Sequence, residues 1–294
     1  AMEIRVTAET VRNADIIDEV MLLWNPKEEE DEEYIRSLAH SEMFKIYELP
    51  EGEPFQRPVQ WNTGKFYQYM TDEKTIYIRF DDDIVYLEKD FFKNLLDFRI
   101  DHPEYFLVFA NIWNNAIISH YQQKEGNIGK DYGTVEKYCM DNIGWASADF
   151  AIYIHNILLT HVELGSEKDL YLKENYELGP DDRFSISCFA FFGKDFKEFE
   201  GILEVKDGDY YPNADTYLKE NIKKALDEEI WLTATYPKRT GKLNVICGSA
   251  LCSHLTFSPH QKLSVLISDI PERYEKIARE SLSGDYYKFL DLKK

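Results

Sequence analysis

The sequence predicts an α/β fold with a mostly parallel central sheet flanked by helices. Short, continuous apolar runs alternate with longer segments of helical periodicity, the order of a parallel sheet covered on both faces. The runs lack the polar alternation of a half-exposed strand, so they read as buried. Three of them are expected to end at polar residues, Asn25, Asp81-Asp82-Asp83 and Asn111, and in such sheets ligands gather at the carboxyl ends of the strands.

Glu19 to Asn25 is an apolar run stopped by Pro26 and reads as the first full strand. Glu28 to His40 is rich in helix formers, with apolar residues at Tyr34, Ile35, Leu38 and Ala39, and reads as a surface helix. Phe44 to Leu49 is a strand closed by Pro50-Glu51-Gly52, and Gln60 to Tyr69 a helix. Thr75 to Phe80 is a strand ending at the three aspartates, followed by the apolar Ile84-Val85-Tyr86-Leu87. Lys89 to Ile100 is a helix stopped by Asp101-His102-Pro103, and Tyr105 to Asn111 a strand. Gln122 to Gly133, with three glycines, reads as a loop, Trp145 to Val162 as a helix, Tyr176 to Arg183 as a turn and Ile186 to Gly193 as a strand. Asp207 to Asp215 is a loop, Asp227 to Leu232 opens a helix, and Lys242 to Cys252 is a strand leading to His254. Pro271 to Leu292 carries spaced apolar residues and reads as a C-terminal helix. The tryptophans 61, 113, 145 and 231 are core residues by default. No repeat or linker is visible, so one domain over residues 1–294 is expected.

Composition narrows the function. Hydrophobic residues make up 44% of the chain and aromatics 15%, enough for a packed core. The formal charge of −20 opposes binding to nucleic acid or an anionic membrane, which a basic surface drives. No apolar run reaches the roughly 18 residues of a membrane span, so no transmembrane segment is expected. Cys139, Cys188, Cys247 and Cys252 lack the spacing of a structural zinc site. With no recognisable leader, they are expected to be reduced thiols of a cytoplasmic protein.

The aspartate triplet carries the chemistry. Adjacent carboxylates repel one another, and a divalent cation turns that repulsion into binding, since Mg²⁺ and Mn²⁺ favour carboxylate oxygens. Bound metal can in turn hold the phosphates of a nucleotide. Asp81 and Asp83 share one side of an extended segment and Asp82 points the other way.

At three places, in order, the chain resembles the GT-A (Rossmann-like) fold of nucleotide-sugar glycosyltransferases. Asp81-Asp82-Asp83 looks like their D-x-D motif, Asp227-Glu228-Glu229 with Leu232 resembles their acidic motif at a helix start, and His254 resembles their late metal-binding histidine. The stretch Tyr77 to Val85 is also similar to uncharacterised glycosyltransferases of surface-polysaccharide systems. The resemblance spans roughly Asp18 to His260. It implies a nucleotide-binding half at about 1–120, an acceptor and catalytic half at about 121–264 and a helical segment at about 265–294.

The resemblance also implies the site. Asp83 holds Mn²⁺ or Mg²⁺, Asp81 contacts the metal or the nucleotide ribose, and His254 completes the coordination, with His260 a weaker alternative. Asp82 belongs to the nucleotide side or is simply solvated. Glu229 is the general base of an inverting transfer, with Glu228 beside it, and Asp182, in the turn with Asp181, is the rival carboxylate. The family usually opens with a strand that helps bind the base, but here only Ile4-Arg5-Val6 precedes Val20. The candidates for base and phosphate contacts are Asn25, at the end of its strand, and Arg57 and Lys65, which as surface cations of an acidic protein are equally salt-bridge partners. The expected partners are a nucleotide-sugar donor, a UDP-sugar by the resemblance, and a glycan or polysaccharide acceptor. A non-catalytic binding or scaffold protein of the same fold, or a metal-dependent nucleotidyltransferase, stays open as an alternative.

Overall fold

The computed structural model describes residues 15–24, 29–39, 43–49, 59–197 and 228–281. The chain is α/β, with a mixed sheet flanked by helices. The first strands, β1 (Val20–Leu23) and β2 (Phe44–Tyr47), pair in parallel as a separate two-stranded sheet. Helix α1 (Glu29–Leu38) joins them and buries Ile35 and Leu38 against Leu22 and Phe44.

The main sheet holds β3 (Ile76–Phe80), β4 (Ile84–Leu87), β5 (Val108–Trp113), β6 (Tyr176–Leu178), β7 (Cys188–Phe192) and β8 (Asn244–His254). Its order is β3-β7-β5-β8-β4, with β6 also on β8. Of these pairings only β5 with β8 is parallel, which corrects the expectation of a mostly parallel sheet. Connection length explains the difference. Three residues separate β3 from β4, and residues 179–187 separate β6 from β7. A parallel crossover needs a dozen or more residues, so these neighbours in sequence cannot be parallel neighbours in the sheet. Strands β3, β5 and β8 still run the same way, and their carboxyl ends lie on one side.

Helices α2 (Phe91–Asp101), α3 (Ala116–Glu125), α4 (Ala148–Leu164), α7 (Pro259–Leu266) and α8 (Ile270–Ser281) flank the sheet. Two short pieces, α5 (Glu228–Ile230) and α6 (Tyr236–Thr240), enclose a wide π-helical turn at Trp231–Thr235. The larger core gathers Phe91, Leu95, Phe109, Phe189 and Phe191 around α2 and the sheet. A second core forms where Phe150, Leu158, Val265 and Tyr274 of α4, α7 and α8 meet Trp113 and Leu251. Trp113 and Trp231 are buried, and the Trp113 indole donates to the Ile154 carbonyl at 2.7 Å.

Several boundaries shift. The helix expected at 60–69 is a 3-10 helix over Val59–Tyr69. Helix α3 runs to Glu125, so the start of the expected loop at 122–133 is helical. Tyr176–Leu178 is a strand rather than part of a turn. β5 lies further along the chain than expected, which places Asn111 inside it. There Asn111 Nδ2 donates to the carbonyls of Gly248 and Leu170 at 3.0 and 3.2 Å. It pins a bulge in β8, where Gly248, Ser249 and Ala250 are looped out between the pairs Ala110–Cys247 and Asn111–Leu251. The expected loop at 207–215 lies outside the described residues. All four cysteines are buried, unpaired thiols. No described helix is long and apolar enough to cross a membrane.

The C-terminal helix is tied to the sheet by a buried histidine. His155 of α4 donates from Nε2 to the Leu255 carbonyl at 3.1 Å and accepts from the Tyr274 hydroxyl at Nδ1, 2.8 Å away. Burial pushes its pKa down to about 4, although the Leu255 carbonyl opposes the shift. A folded-state pKa below the unfolded value makes stability complete above pH 6.5 and lost as pH falls towards 4, because the unfolded chain binds the proton more readily. The expected loss from this group between pH 7 and pH 4.5 is about 2 kcal/mol. Urea unfolding at the two pH values measures it, and His155→Gln should remove about that much of the wild-type pH dependence. An identical pH dependence in both proteins would contradict it.

Candidate metal and nucleotide site

Register brings the central pair together. The last residue of β3, Phe80, lies opposite Cys188, and the first residue of β4, Ile84, lies opposite His254. The aspartates therefore link β3, which pairs with β7, to β4, which pairs with β8. Leu255 N donates to the Asp83 carbonyl at 2.9 Å, closing the turn after β8 against the triplet. His254 is the last residue of β8 rather than a residue beyond it.

In that geometry His254 Nε2 lies 2.5 Å from Asp83 Oδ1. The other carboxylate oxygen of Asp83 accepts from the Thr256 hydroxyl at 2.8 Å and from its backbone N–H at 3.3 Å. Burial works to raise the Asp83 pKa, but the His254 charge and the hydrogen bonds from His254 and Thr256 win and hold it below the usual carboxylate value. Burial likewise works against protonation of His254, but the Asp83 carboxylate, aided by Asp81 and Asp82, lifts its pKa above 6.5. The second ring nitrogen, Nδ1, is buried without a hydrogen-bond partner.

Asp81 takes a different partner. The Arg79 guanidinium donates to Asp81 Oδ1 at 3.1 Å and lies 3.3 Å from Glu228 Oε1. It also donates to the Ile186 carbonyl at 3.2 Å. The Tyr67 hydroxyl donates to Glu228 Oε1 at 2.7 Å. Burial disfavours the charged Arg79, but Glu228, Tyr67 and Asp81 outweigh that and raise its pKa. Arg79 thus ties the acidic start of α5 to the aspartate triplet, bringing together two of the three landmarks. Glu229 is bound by Arg183, whose Nε donates to Oε1 at 2.5 Å. Asp182 does not join them: it pairs with Lys137 at 2.9 Å and accepts the Gly179 N–H at 2.9 Å, as a turn former does.

A cavity of about 460 Å³ lies between β1, β2 and β3 and reaches Asp81 and Asp82, while Asp83 turns to His254 and neither of that pair is on its wall, so Asp82 rather than Asp83 shares a side with Asp81. Glu19, Tyr47, Tyr77, Arg79, Asp81 and Asp82 are on its wall, along with apolar side chains. Its size is that of a small-molecule pocket. The Tyr47 hydroxyl donates to Glu19 at 2.5 Å, and Lys45 also pairs with that carboxylate. Lys65, on the 3-10 helix, does not line the cavity. Asn25, Arg57 and Asp227 lie outside the described residues. The sequence reading missed Glu19, Tyr47 and Tyr77, although a carboxylate opening β1 and tyrosines in β2 and β3 were available as a signal.

Among the described residues no group of three or more His, Cys, Asp or Glu side chains is arranged to hold a metal ion. The described residues offer two donors that face each other, Asp83 and His254. Mg²⁺ typically takes one or two carboxylates and completes its octahedron with water and substrate phosphates. A carboxylate facing the Nε2 of an imidazole fits a cation of that kind, taken up in place of the proton between them, with substrate completing the coordination. Compared with known proteins, the chain matches no family model, no curated protein and no solved structure.

Proposed function

We propose that the protein is a metal-dependent glycosyltransferase of GT-A type that moves a sugar from a nucleotide-sugar donor, a UDP-sugar by resemblance, to a glycan hydroxyl. The observation that carries this reading is the Asp83–His254 contact at 2.5 Å beside the cavity that Asp81 and Asp82 line. It is supported by the turn after β3 meeting the carboxyl end of β8, on the side of the sheet where α/β proteins bind ligands.

In this reading Asp83 and His254 hold Mn²⁺ or Mg²⁺. Such a metal would supply the positive charge that neutralises a diphosphate leaving group. His254 must give up the proton it shares with Asp83 to ligate, so metal binding releases a proton. Tyr47 and Tyr77 flank the base, and Glu19 or Asp82 takes a hydroxyl or N–H of the nucleoside. Glu229 takes the proton of the acceptor hydroxyl as that oxygen attacks the anomeric carbon. Arg183 engages the Glu229 carboxylate in the structure, so Arg183 must withdraw before Glu229 acts. A cytoplasmic location goes with this reading.

One observation favours a second reading. Glu228 and Glu229 are both held by arginines, as in a protein that binds a nucleotide without doing chemistry. A screen of nucleotide sugars for Mn²⁺-dependent hydrolysis separates the two. The transferase is expected to release free sugar slowly from one donor, and Glu229→Gln to abolish transfer while leaving nucleotide binding intact. Nucleotide binding without turnover of any donor, with or without glycan acceptors, would establish the binding protein instead.

A further inference from the structure

Among the described residues, Asn114 alone of the non-glycine residues has left-handed backbone, at φ 64°. It stands at the carboxyl end of β5, directly before Asn115, whose side chain caps α3. A glycine would take that conformation without strain. Asn114 is also buried, and its Oδ1 has no hydrogen-bond partner. Strain and an unpaired oxygen both count against asparagine here, so its amide N–H groups must account for it. Nδ2 donates to the carbonyl of His254 at 3.2 Å and to that of Leu255 at 3.1 Å.

A second buried side chain converges on the same segment. His155 Nε2 donates to the Leu255 carbonyl at 3.1 Å, and its Nδ1 accepts from Tyr274. The Tyr274 hydroxyl lies 3.0 Å from Ser253 Oγ. Residues 253–255 are thus gripped from the end of β5, from α4 and from α8, while the Leu255 N–H is held by Asp83 itself. Three elements fix the backbone that carries the His254 ring, and among the described residues only Asp83 meets the ring's Nε2.

We propose that Asn114 and His155, with Tyr274 behind it, are positioning residues that set the His254 imidazole against Asp83. As a statement about metal the inference rests on the reading of Asp83 and His254 as ligands; as a statement about geometry it does not. These bonds hold the backbone that carries the ligand rather than its ring; outer bonds to the ring itself are typically worth 10- to 100-fold in metal affinity, so the lower end of that range is expected here.

Asn114→Gly tests it, because glycine accepts φ 64° and removes only the amide. Protein labelled with ¹⁵N at histidine reports the Nε2–H of His254, hydrogen-bonded to Asp83, in the absence of metal. Water-proton relaxation reports Mn²⁺ binding. The expected result is a melting temperature within a few degrees of wild type, a His254 N–H signal lost to solvent exchange, and Mn²⁺ binding weakened roughly tenfold. Tyr274→Phe, which takes the partner from His155 Nδ1, should change both readouts in the same direction and covers the case in which Asn114→Gly does not fold. Wild-type His254 signals in these variants would overturn the positioning role. Wild-type protein that binds no Mn²⁺ would instead overturn the metal reading, and the His254 signal would still decide the geometry.

Discussion

Replacing Arg79 with methionine is expected to destabilise the protein by about 3–5 kcal/mol, the cost of stripping a buried charge network of its cation. Arg79 has 14% of its side chain exposed and Glu228 10%, so solvent can do little for either charge. The guanidinium faces Asp81 and Glu228, reaches the Ile186 carbonyl and lies 5.8 Å from the centre of the Phe189 ring. Without it two nearby carboxylates face each other in a poorly hydrated place, and the start of α5 loses its tie to β3. Methionine keeps the apolar stem and isolates the charge. Guanidinium unfolding of Arg79→Met measures the effect. Adding Glu228→Gln to that variant should recover a good part of the loss by removing the carboxylate Arg79 neutralised. A loss below 1 kcal/mol, or no recovery, would show that the cluster is solvated and does not hold α5 to the sheet.

The second large effect is on function. Asp83→Asn keeps the shape and most of the hydrogen bonding but removes the charge that a cation needs. Under the proposed mechanism donor hydrolysis falls roughly 100-fold or more, since stabilisation of the leaving group is lost with the metal. Asp83 and His254 favour each other's charged forms, so the variant should also lower the His254 pKa, read by histidine NMR. Activity within a few-fold of wild type would remove Asp83 from the chemistry. A lowered His254 pKa with unchanged activity would leave the pair as a structural contact only.

Elements with strong local signals were readable from the sequence. Strand β3 and the aspartates after it stand out because an apolar run stops at three carboxylates, and α1, α2 and α4 lie within a few residues of their expected ranges. Strand direction was not readable, because it depends on pairings between distant segments such as β3 with β7. Asn111 was expected at a strand's end and sits inside β5, because apolar content marks a strand but not where its pairing stops. Asp83 and His254 were named from an order of motifs, and the register of Ile84 opposite His254 is what makes them touch. The ion pairs of Arg79 with Glu228 and Arg183 with Glu229 join segments far apart in the chain, and no local pattern announces them. Asn114 carried one faint signal: two asparagines after a buried strand, a residue type that tolerates left-handed backbone and caps helices.

The central claim is that Asp83 and His254 hold a divalent cation on which a nucleoside diphosphate binds. Calorimetric titration of UDP into wild-type protein, with and without Mn²⁺, tests it most directly. The account predicts measurable binding with Mn²⁺, at least a tenfold loss when the metal is chelated, and the same loss in His254→Ala with Mn²⁺ present. UDP binding that is equal with and without Mn²⁺, or no binding under either condition, would contradict it.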